Sequence, residues 1–431
     1  MMPTACVDAL PECSAWAGAR QCHTNAPYML LMCQRACGLC EAPPALPSET
    51  SAACSATAPS PADVSSSSQR TGEASTRPPH GAIVYLAQNR RHPLYGGHGR
   101  SNLERSLRLL HEHYNDREQH DVLIFHEGDF DEASQHAIAA QASAHPTVGF
   151  HTLPSTLWGP PAHVDAAHAA TWHNPKFGLG YRNMCRLFSF LLHGHLRERK
   201  YEYAMRMDDD SFILSPIPYN IFSRMRERRW RYAYRAAQFE APKNALGWAE
   251  AVASYVNTTS ATAESARAFT RHCRPSGRAA ACVSGPRNRT HPHLSEGWDG
   301  FTIYTNFYAT ELGWWDRPEV ARFLEHIDRI GGTHYYRWGD ALVHTAATQL
   351  FLRGDELAKL GEWTYQHASV RHADGALLWG GVFAGSDDPA AAATLEDFQS
   401  RHGGATLVPA YWQPAIENME AADARQEQHE G

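Results

Sequence analysis

Continuous apolar runs and a run with helical spacing alternate along residues 81–125. Residues 82–87 (AIVYLA) and 121–125 (DVLIF) are almost wholly apolar, which is typical of strands covered on both faces. Between them, residues 102–114 carry leucines at 103, 107 and 110, a helical spacing, and Ser101 is a suitable N-cap. Strand, helix and strand in this order predict a right-handed βαβ unit in a mainly parallel sheet.

Two later segments show the apolar stripe of an amphipathic helix. In residues 181–193 the apolar face consists of Met184, Leu187, Phe188, Leu191 and Leu192. A second helix is predicted to begin at residues 316–318, with an apolar face of Val320, Phe323, Leu324 and Ile327. Pro318 near its start and Gly331 and Gly332 beyond its end fit the usual asymmetry of helix termini.

A further apolar run ends in three consecutive carboxylates. Residues 203–212 read YAMRMDDDSF, so a short strand is predicted to end at the triplet. Side chains alternate along an extended chain, so Asp208 and Asp210 should project to one side, where they repel unless a cation lies between them. Mg²⁺ and Mn²⁺ take such oxygen ligands and often bind substrate phosphates. The triplet therefore indicates either a metal–diphosphate site, as in a nucleotide-sugar transferase, or an acidic turn.

Composition narrows the class of protein. The apolar fraction of 43% and the twelve tryptophans support a substantial core. The net charge of −7, with both signs spread along the chain, shows no basic patch, so we expect no nucleic-acid partner. No apolar run is long enough to cross a bilayer, and the first residues show no apolar region of a signal peptide.

The cysteines nevertheless indicate the secretory pathway. Six of the ten lie in the first forty residues, namely Cys6, Cys13, Cys22, Cys33, Cys37 and Cys40. This density, in a segment too small for its own core, predicts a disulfide scaffold, although the spacing of the last two would also suit zinc. Six cysteines allow fifteen pairings, and their spacing does not select one.

Composition also divides the chain into regions. We predict a disulfide module at 1–40, a linker rich in Pro, Ser, Ala and Thr at 41–79, a large α/β domain at 80–415 and a polar tail at 416–431. Within the large domain, residues 257–297 form a polar insertion. Its Cys273 and Cys282 are predicted to form a disulfide.

The first forty residues resemble the ShK toxin-like (ShKT) domain. The matching residues are Cys6, Asp8, Cys13, Trp16, Ala17, Cys22, Asn25, Pro27, Tyr28, Met29, Cys33, Cys37, Gly38 and Cys40. The resemblance implies the pairings Cys6–Cys40, Cys13–Cys33 and Cys22–Cys37. Such modules are attached to many secreted enzymes, so this one says little about activity.

Four separated blocks resemble the fungal-type α-1,2-mannosyltransferases of glycosyltransferase family 15. The blocks are 181–186 (YRNMCR), 206–210 (RMDDD), 331–344 (GGTHYYRWGDALVH) and 365–367 (YQH). Their order and spacing agree with the family, apart from the inserted loop. The resemblance implies a GT-A-type α/β fold, in which a mainly parallel sheet with flanking helices binds the nucleotide sugar.

The resemblance also implies site residues. Asp208, in place of the family's Glu, and Asp210 and His367 would hold Mn²⁺. Tyr181 matches a tyrosine near the donor sugar and Asp340 an acidic residue of the active site. By pattern alone Tyr181 could be a core residue, and Asp340 could cap the helix that follows it.

The chain departs from the family at one functional position. Residues 306–308 (NFY) stand where the family has N-F-E, so Tyr308 replaces the proposed nucleophile or ion-pair stabiliser. We expect Tyr308 or the nearby Glu311 to take its role. Arg337, which lacks the family's preceding Glu, could bind phosphate through its planar guanidinium or pair with a carboxylate.

These observations predict a metal-dependent transferase. The family resemblance implies that it moves mannose from GDP-mannose to a mannose hydroxyl of a glycan, with retention of configuration and an α-1,2 linkage, in the Golgi lumen. Association with a membrane fits the family, although this chain shows no transmembrane segment. One alternative is a catalytically degenerate secreted protein that binds glycans. A metal-dependent phosphoesterase would explain the Asp triplet but not the block at 331–344.

Overall fold

The computed structural model describes residues 13–18, 35–36, 79–90, 99–140, 148–240, 244–258, 301–367 and 381–383. Several predictions lie outside these residues: the full set of cysteine pairs in 1–40, most of the linker, the disulfide of the insertion and the polar tail. Within the first region, Cys13 begins a short helix and is disulfide-bonded.

Ten strands are described. They are β1 (Gly81–Leu86), β2 (Asp121–His126), β3 (Val148–Thr152), β4 (Tyr203–Met207), β5 (Ser211–Ile213), β6 (Tyr232–Phe239), β7 (Phe301–Glu311), β8 (Leu357–Lys359), β9 (Tyr365–His367) and β10 (Gly381–Phe383). Seven of them form one sheet in the order β3-β2-β1-β4-β7-β6-β8, and the order β10-β9-β5 forms a small second sheet. In the large sheet only β7 runs antiparallel to its neighbours, so the prediction of a mainly parallel sheet is confirmed.

Twelve α-helical segments are described alongside the strands. They are α1 (Cys13–Gly18), α2 (Gly99–Leu110), α3 (Asp116–Glu118), α4 (Glu132–Ala139), α5 (Leu179–Arg186), α6 (Leu192–Glu198), α7 (Ile221–Arg228), α8 (Trp248–Thr258), α9 (Leu312–Trp315), α10 (Pro318–Ile330), α11 (Gly332–Tyr335) and α12 (Asp340–Phe351). π-helical turns at His111–Asn115 and Leu187–Leu191 extend α2 and join α5 to α6. No helix in the described ranges is long and apolar enough to cross a bilayer.

Helices cover both faces of the sheet, which explains the continuous apolar sequence of β1. Ile83 and Tyr85 pack in one core with the leucines of α2, while Ala82 and Val84 pack in another with Phe188. A third, aromatic-rich core lies between β6 and β7 and the helices α8, α10 and α12. The residues of β1 therefore face apolar neighbours on both sides of the sheet.

Two helix boundaries differ from the sequence prediction. The helix expected from residue 102 begins at Gly99, so Ser101 lies inside its first turn and is not the N-cap. The helix expected at 181–193 begins at Leu179 and continues, through its π turn, to Glu198. The end of α10 agrees with the prediction, because Gly331 adopts the left-handed conformation (φ 71°) that terminates it.

Candidate active site

Three carboxylates form a turn between the two sheets. Strand β4 ends at Met207 and β5 begins at Ser211, so residues 208–210 lie at the carboxyl end of β4, as predicted. The amide of Asp208 donates to the Asn306 carbonyl (3.1 Å), and the amide of Ser211 donates to the Asp208 carbonyl (3.0 Å). These bonds to neighbouring backbone hold the turn against β7.

The small sheet brings His367 to this turn. Strand β9 pairs antiparallel with β5, with His367 opposite Ser211. The Nε2 atom of His367 lies 3.1 Å from Asp210 Oδ1 and 3.6 Å from Asp208 Oδ2. Ligand atoms of the three residues lie within 4.8 Å of one another. The three residues that the resemblance assigned to a metal are therefore adjacent in the fold.

The charges of this cluster fit a divalent cation. Burial, together with Asp210 and Asp208, raises the pKa of Asp209 well above its usual value. Burial lowers the pKa of His367, but the two carboxylates outweigh burial and raise it to about 10. Negative charge thus accumulates at the turn and draws a proton onto the histidine. Two carboxylates and an imidazole are ligands that Mn²⁺ accepts, so the residues present fit this ion.

A buried arginine joins the cluster to Asp340. Arg206, in the middle of β4, is 4% exposed; its Nε donates to Asp208 Oδ1 (2.9 Å), and its Nη1 donates to Asp340. Burial alone would raise the pKa of Asp340, but Arg206, together with His344 and Thr305, outweighs burial and lowers it. Gly339, not Asp340, is the N-cap of α12, so the structure does not support the capping alternative. A single arginine within an apolar strand, two residues before the first aspartate of the triplet, was the sequence signal for this role.

Tyr181 and Arg337 form a second polar group. Arg337 Nη2 donates to the Tyr181 hydroxyl (2.5 Å), and Arg337 Nη1 lies 3.3 Å from Glu240 Oε2. The guanidinium stacks over the rings of Phe177 and Tyr181, 4.3 and 4.8 Å from their centroids. Burial raises the pKa of Tyr181, which keeps its hydroxyl neutral. Of the two alternatives for Arg337, the structure shows the pairing with a carboxylate.

Arg337 also has an uncommon backbone conformation. Its φ of 67° is in the left-handed region, which non-glycine residues seldom occupy. The contacts with Glu240, Tyr181 and Phe177 hold it there. Strained residues of this kind concentrate at functional sites, which is consistent with a role for this group.

Tyr308 lies in the core beneath the site. It is 1% exposed and pairs across the sheet with Arg206. Its ring stacks on Tyr232 (5.2 Å between centroids), and its hydroxyl lies 3.3 Å from His193 Nε2. Burial raises the pKa of Tyr308, so the hydroxyl stays protonated. This enclosed, neutral phenol is poorly placed to act as a nucleophile.

The expectation that Glu311 reaches the site is wrong. Phe307 pairs with Met207 at the end of β4, whereas Glu311 pairs with Tyr203 at its start. Four residues of extended strand, about 13 Å, separate the two positions. Glu311 also forms an ion pair with Arg231.

Asn306 is a site residue that sequence reasoning missed. Its backbone carbonyl accepts from the amide of Asp208 (3.1 Å) and from the hydroxyl of Ser211 (3.1 Å), which places Asn306 beside the carboxylate turn. The side chain is 2% exposed, yet neither polar atom of its carboxamide has a hydrogen-bond partner among the described residues. Buried polar atoms without partners are rare and often face a ligand.

Cys185 is the one free cysteine in the described part of the chain. It is buried, and burial raises the pKa of its thiol to about 12. The thiol is therefore unreactive.

Two family models match the chain. The glycolipid 2-alpha-mannosyltransferase model matches residues 58–379, and the ShK domain-like model matches residues 5–40. The first covers more than half of the chain and includes every residue of the cluster described above. The second confirms the ShK-like nature of the N-terminal module.

Several curated relatives are fungal proteins. The probable mannosyltransferase KTR2 of Saccharomyces cerevisiae is 26% identical over 275 residues, which are 61% of this chain and 62% of that protein. The O-glycoside alpha-1,2-mannosyltransferase omh1 of Schizosaccharomyces pombe is 24% identical over 290 residues, 63% of this chain and 67% of that protein. The chain thus spans about three fifths to two thirds of the length of these relatives.

Solved structures share the fold. Core-mannan synthase A of Aspergillus fumigatus superposes with a TM-score of 0.58 at 19% identity, over 69% of this chain and 76% of that chain. The mannosyltransferase Ktr4p of S. cerevisiae gives a TM-score of 0.56 at 21% identity, over 67% and 70%. These similarities confirm the GT-A-type sheet with flanking helices. The chain belongs to the glycolipid 2-alpha-mannosyltransferase family and carries an ShK-like module at its N-terminus.

Proposed function

We propose that the protein transfers mannose from GDP-mannose to a mannose hydroxyl of a glycan, with retention of configuration and formation of an α-1,2 linkage. Membership of the family supports mannosyl transfer. The names of several relatives specify alpha-1,2-mannosyltransferase activity, and the core-mannan synthase A structure is described as its Mn/GDP form.

The observation that carries this proposal is the cluster of Asp208, Asp210 and His367. Its three ligand atoms converge although they come from two different sheets. In the proposed enzyme these residues hold Mn²⁺. The bound ion would neutralise the charge that develops on the diphosphate leaving group.

Other residues of the chain serve the donor in this proposal. Arg206 keeps Asp340 ionised beside the metal ligands, so Asp340 presents a negative charge that can stabilise a sugar developing positive charge. Tyr181 presents a neutral hydroxyl oriented by Arg337. Both groups are set by contacts between separate elements, so they are in place before a substrate arrives.

Retention requires either a covalent intermediate or attack on the face from which the diphosphate leaves. Tyr308 lies in the core and Glu311 lies at the far end of β7, and these positions argue against either residue as a covalent nucleophile. We therefore favour same-face attack steered by the leaving group.

The proposed compartment is the lumen of the Golgi. The disulfide at Cys13 and the ShK-like match support passage through an oxidising compartment. Glycan acceptors and nucleotide-sugar donors meet in the same pathway.

A direct assay tests the proposed activity. The full chain, produced in a secretory host, is incubated with GDP-mannose, Mn²⁺ and α-methyl mannoside. We expect a disaccharide whose α-1,2 linkage is read by NMR, activity that EDTA removes and Mn²⁺ restores, and a loss of at least about 100-fold in Asp210→Asn. Asp355→Asn, which changes an exposed carboxylate, is the matched control.

The opposite result would support the glycan-binding alternative. If no transfer and no donor hydrolysis occur across metals and acceptors, while the folded protein still binds glycans, the proposed activity is wrong.

A further inference from the structure

A tyrosine of the large sheet contacts the proposed metal ligand of the small sheet. The hydroxyl of Tyr304 lies 2.7 Å from Nδ1 of His367. The two rings meet edge to face, with centroids 5.1 Å apart and planes at 80°. A hydrogen bond and a ring contact together restrict both the position and the rotation of the imidazole.

The contact determines which nitrogen of His367 faces the carboxylates. With Nδ1 directed to the phenol, Nε2 is the atom that lies 3.1 Å from Asp210 and 3.6 Å from Asp208. When Nδ1–H donates to the phenol oxygen, the neutral imidazole has its lone pair at Nε2. Histidines that bind metals commonly donate their other N–H to a neighbouring group in this way, which fixes tautomer and orientation.

The position of Tyr304 suits this role because the site spans two sheets. Asp208 follows β4 of the large sheet, whereas His367 ends β9 of the small one. Tyr304 belongs to β7, whose Asn306 carbonyl accepts from the amide of Asp208 and whose Tyr308 pairs with Arg206. Along β7, Tyr304, Asn306 and Tyr308 thus lie beside His367, Asp208 and Arg206 respectively. Through Tyr304, strand β7 of the large sheet thus contacts the ligand that the small sheet supplies.

We propose that Tyr304 is a positioning residue that orients His367 for metal binding. The proposal rests on the metal site of the proposed function. Tyr304 lies outside the four blocks of family resemblance, so the resemblance assigns it no role in metal binding.

Metal affinity tests the proposal without any turnover. Mn²⁺ alone is titrated into the full chain, and the free ion is followed by electron paramagnetic resonance. Tyr304→Phe removes only the hydroxyl, and we expect it to weaken Mn²⁺ binding about 10-fold, the lower end of the effect of such neighbouring hydrogen bonds. Tyr201→Phe is the matched control, because it removes a phenol bonded to Asp121 at the ends of the strands opposite the site, where β2 and β4 begin. It should bind Mn²⁺ as the wild type does.

A double-mutant cycle separates positioning from a general loss of structure. His367→Gln keeps a weaker oxygen ligand, so Mn²⁺ binding stays measurable. If Tyr304 acts through His367, Tyr304→Phe should add no further loss in the His367→Gln background. An equal loss in both backgrounds would overturn the proposal. Spin-echo modulation of bound Mn²⁺ gives a second reading: the nitrogen signal of coordinated imidazole should weaken in Tyr304→Phe and persist in Tyr201→Phe.

The proposed function and this inference fail in different ways. If the wild type binds no Mn²⁺, or Asp208→Asn binds it as tightly as the wild type, the metal site itself is wrong, and the inference fails with it. If Asp208→Asn loses Mn²⁺ while Tyr304→Phe keeps wild-type affinity and nitrogen signal, the metal site stands and the role of Tyr304 is refuted.

Discussion

At the scale of single residues, a buried arginine balances the charges of the site. Arg206 is almost inaccessible to water, and its guanidinium bonds both Asp208 and Asp340. It also lies 3.5 Å from the centroid of the Phe188 ring, so one face is covered by an aromatic side chain. An ion so enclosed is tolerated only while its partners remain charged.

Removing one of these partners should therefore cost stability. We expect Asp340→Asn to lower the free energy of unfolding at pH 7 by about 3 kcal/mol, the range for a broken buried pair. The pKa of Asp340 is lowered in the folded state, so its contribution is present above the ordinary aspartate value. That contribution is lost as the pH falls through the lower, folded value.

Denaturant unfolding at several pH values measures this effect. The difference in the free energy of unfolding between wild type and Asp340→Asn should shrink below about pH 4. Asp355→Asn, at an exposed ion pair with Arg353, should change stability by less than about 1 kcal/mol. If Asp340→Asn had nearly the wild-type free energy of unfolding at pH 7, the charge balance between Arg206 and its carboxylate partners would be contradicted.

The enclosed position of Tyr308 leads to a second prediction at this scale. Tyr308→Phe should leave the rate of mannosyl transfer within about threefold of wild type. It should cost about 1 kcal/mol of stability, because the hydroxyl's contact with His193 is lost. Steady-state kinetics and thermal melting measure both quantities. Abolished transfer in a well-folded Tyr308→Phe protein would restore the tyrosine as a catalytic residue.

At the scale of elements, a pair of glycines connects α10 to the site. Gly331 ends α10 in the left-handed conformation, and Gly332 begins the short helix α11. A Cβ atom on Gly332 would lie 2.0 Å from the Trp338 ring. Trp338 lies between Arg337 and Asp340, the first residue of α12. The close contact of the Gly332 backbone with the Trp338 indole therefore fixes the positions of Arg337 and Asp340.

Gly332→Ala should therefore disturb both packing and activity. The Trp338 indole has to move, and we expect a loss of about 1–3 kcal/mol, as for other overpacked cores. Gly361→Ala is the matched control, since no atom lies within 4 Å of its added Cβ. Thermal melting of the two variants gives the comparison. Equal stability of both would show that the Trp338 contact does not constrain this junction.

At the scale of the whole molecule, the family region and the N-terminal module are separate units of sequence. The mannosyltransferase model begins at residue 58 and the ShK-like model ends at residue 40. The first strand of the large sheet begins at Gly81, and His80 just before it bonds Glu202 through its backbone. Because of these bonds, a shortened protein should keep His80 and the residues that follow it.

A chain shortened to start at Pro79 should retain its chemistry. We expect kcat/KM on α-methyl mannoside within about threefold of the full chain, because every residue assigned to the site lies between 181 and 367. Side-by-side kinetics of the two proteins measure this. A large loss in the shortened protein, with an unchanged melting temperature, would show that the module completes the site.

The sequence by itself determined the features that depend on neighbours along the chain. Buried strands reveal themselves in the apolar runs of β1 and β2, and Asp208 and Asp210 follow β4 directly. A metal-binding role is predicted for them because two like charges in one turn repel each other unless a cation lies between them. The resemblance of separated blocks added His367 and Asp340 without showing where they meet.

Only the tertiary structure decided which distant residues share the site. His367 reaches Asp210 through the pairing of β9 with β5, and Arg337 takes its partner Glu240 from a segment about one hundred residues earlier. Tyr308 and Glu311 are three residues apart, yet one lies beneath the site and the other at the far end of the strand. Local patterns record whether a residue is buried. Strand register and packing determine what it is buried against, and these depend on contacts between segments that are remote in sequence.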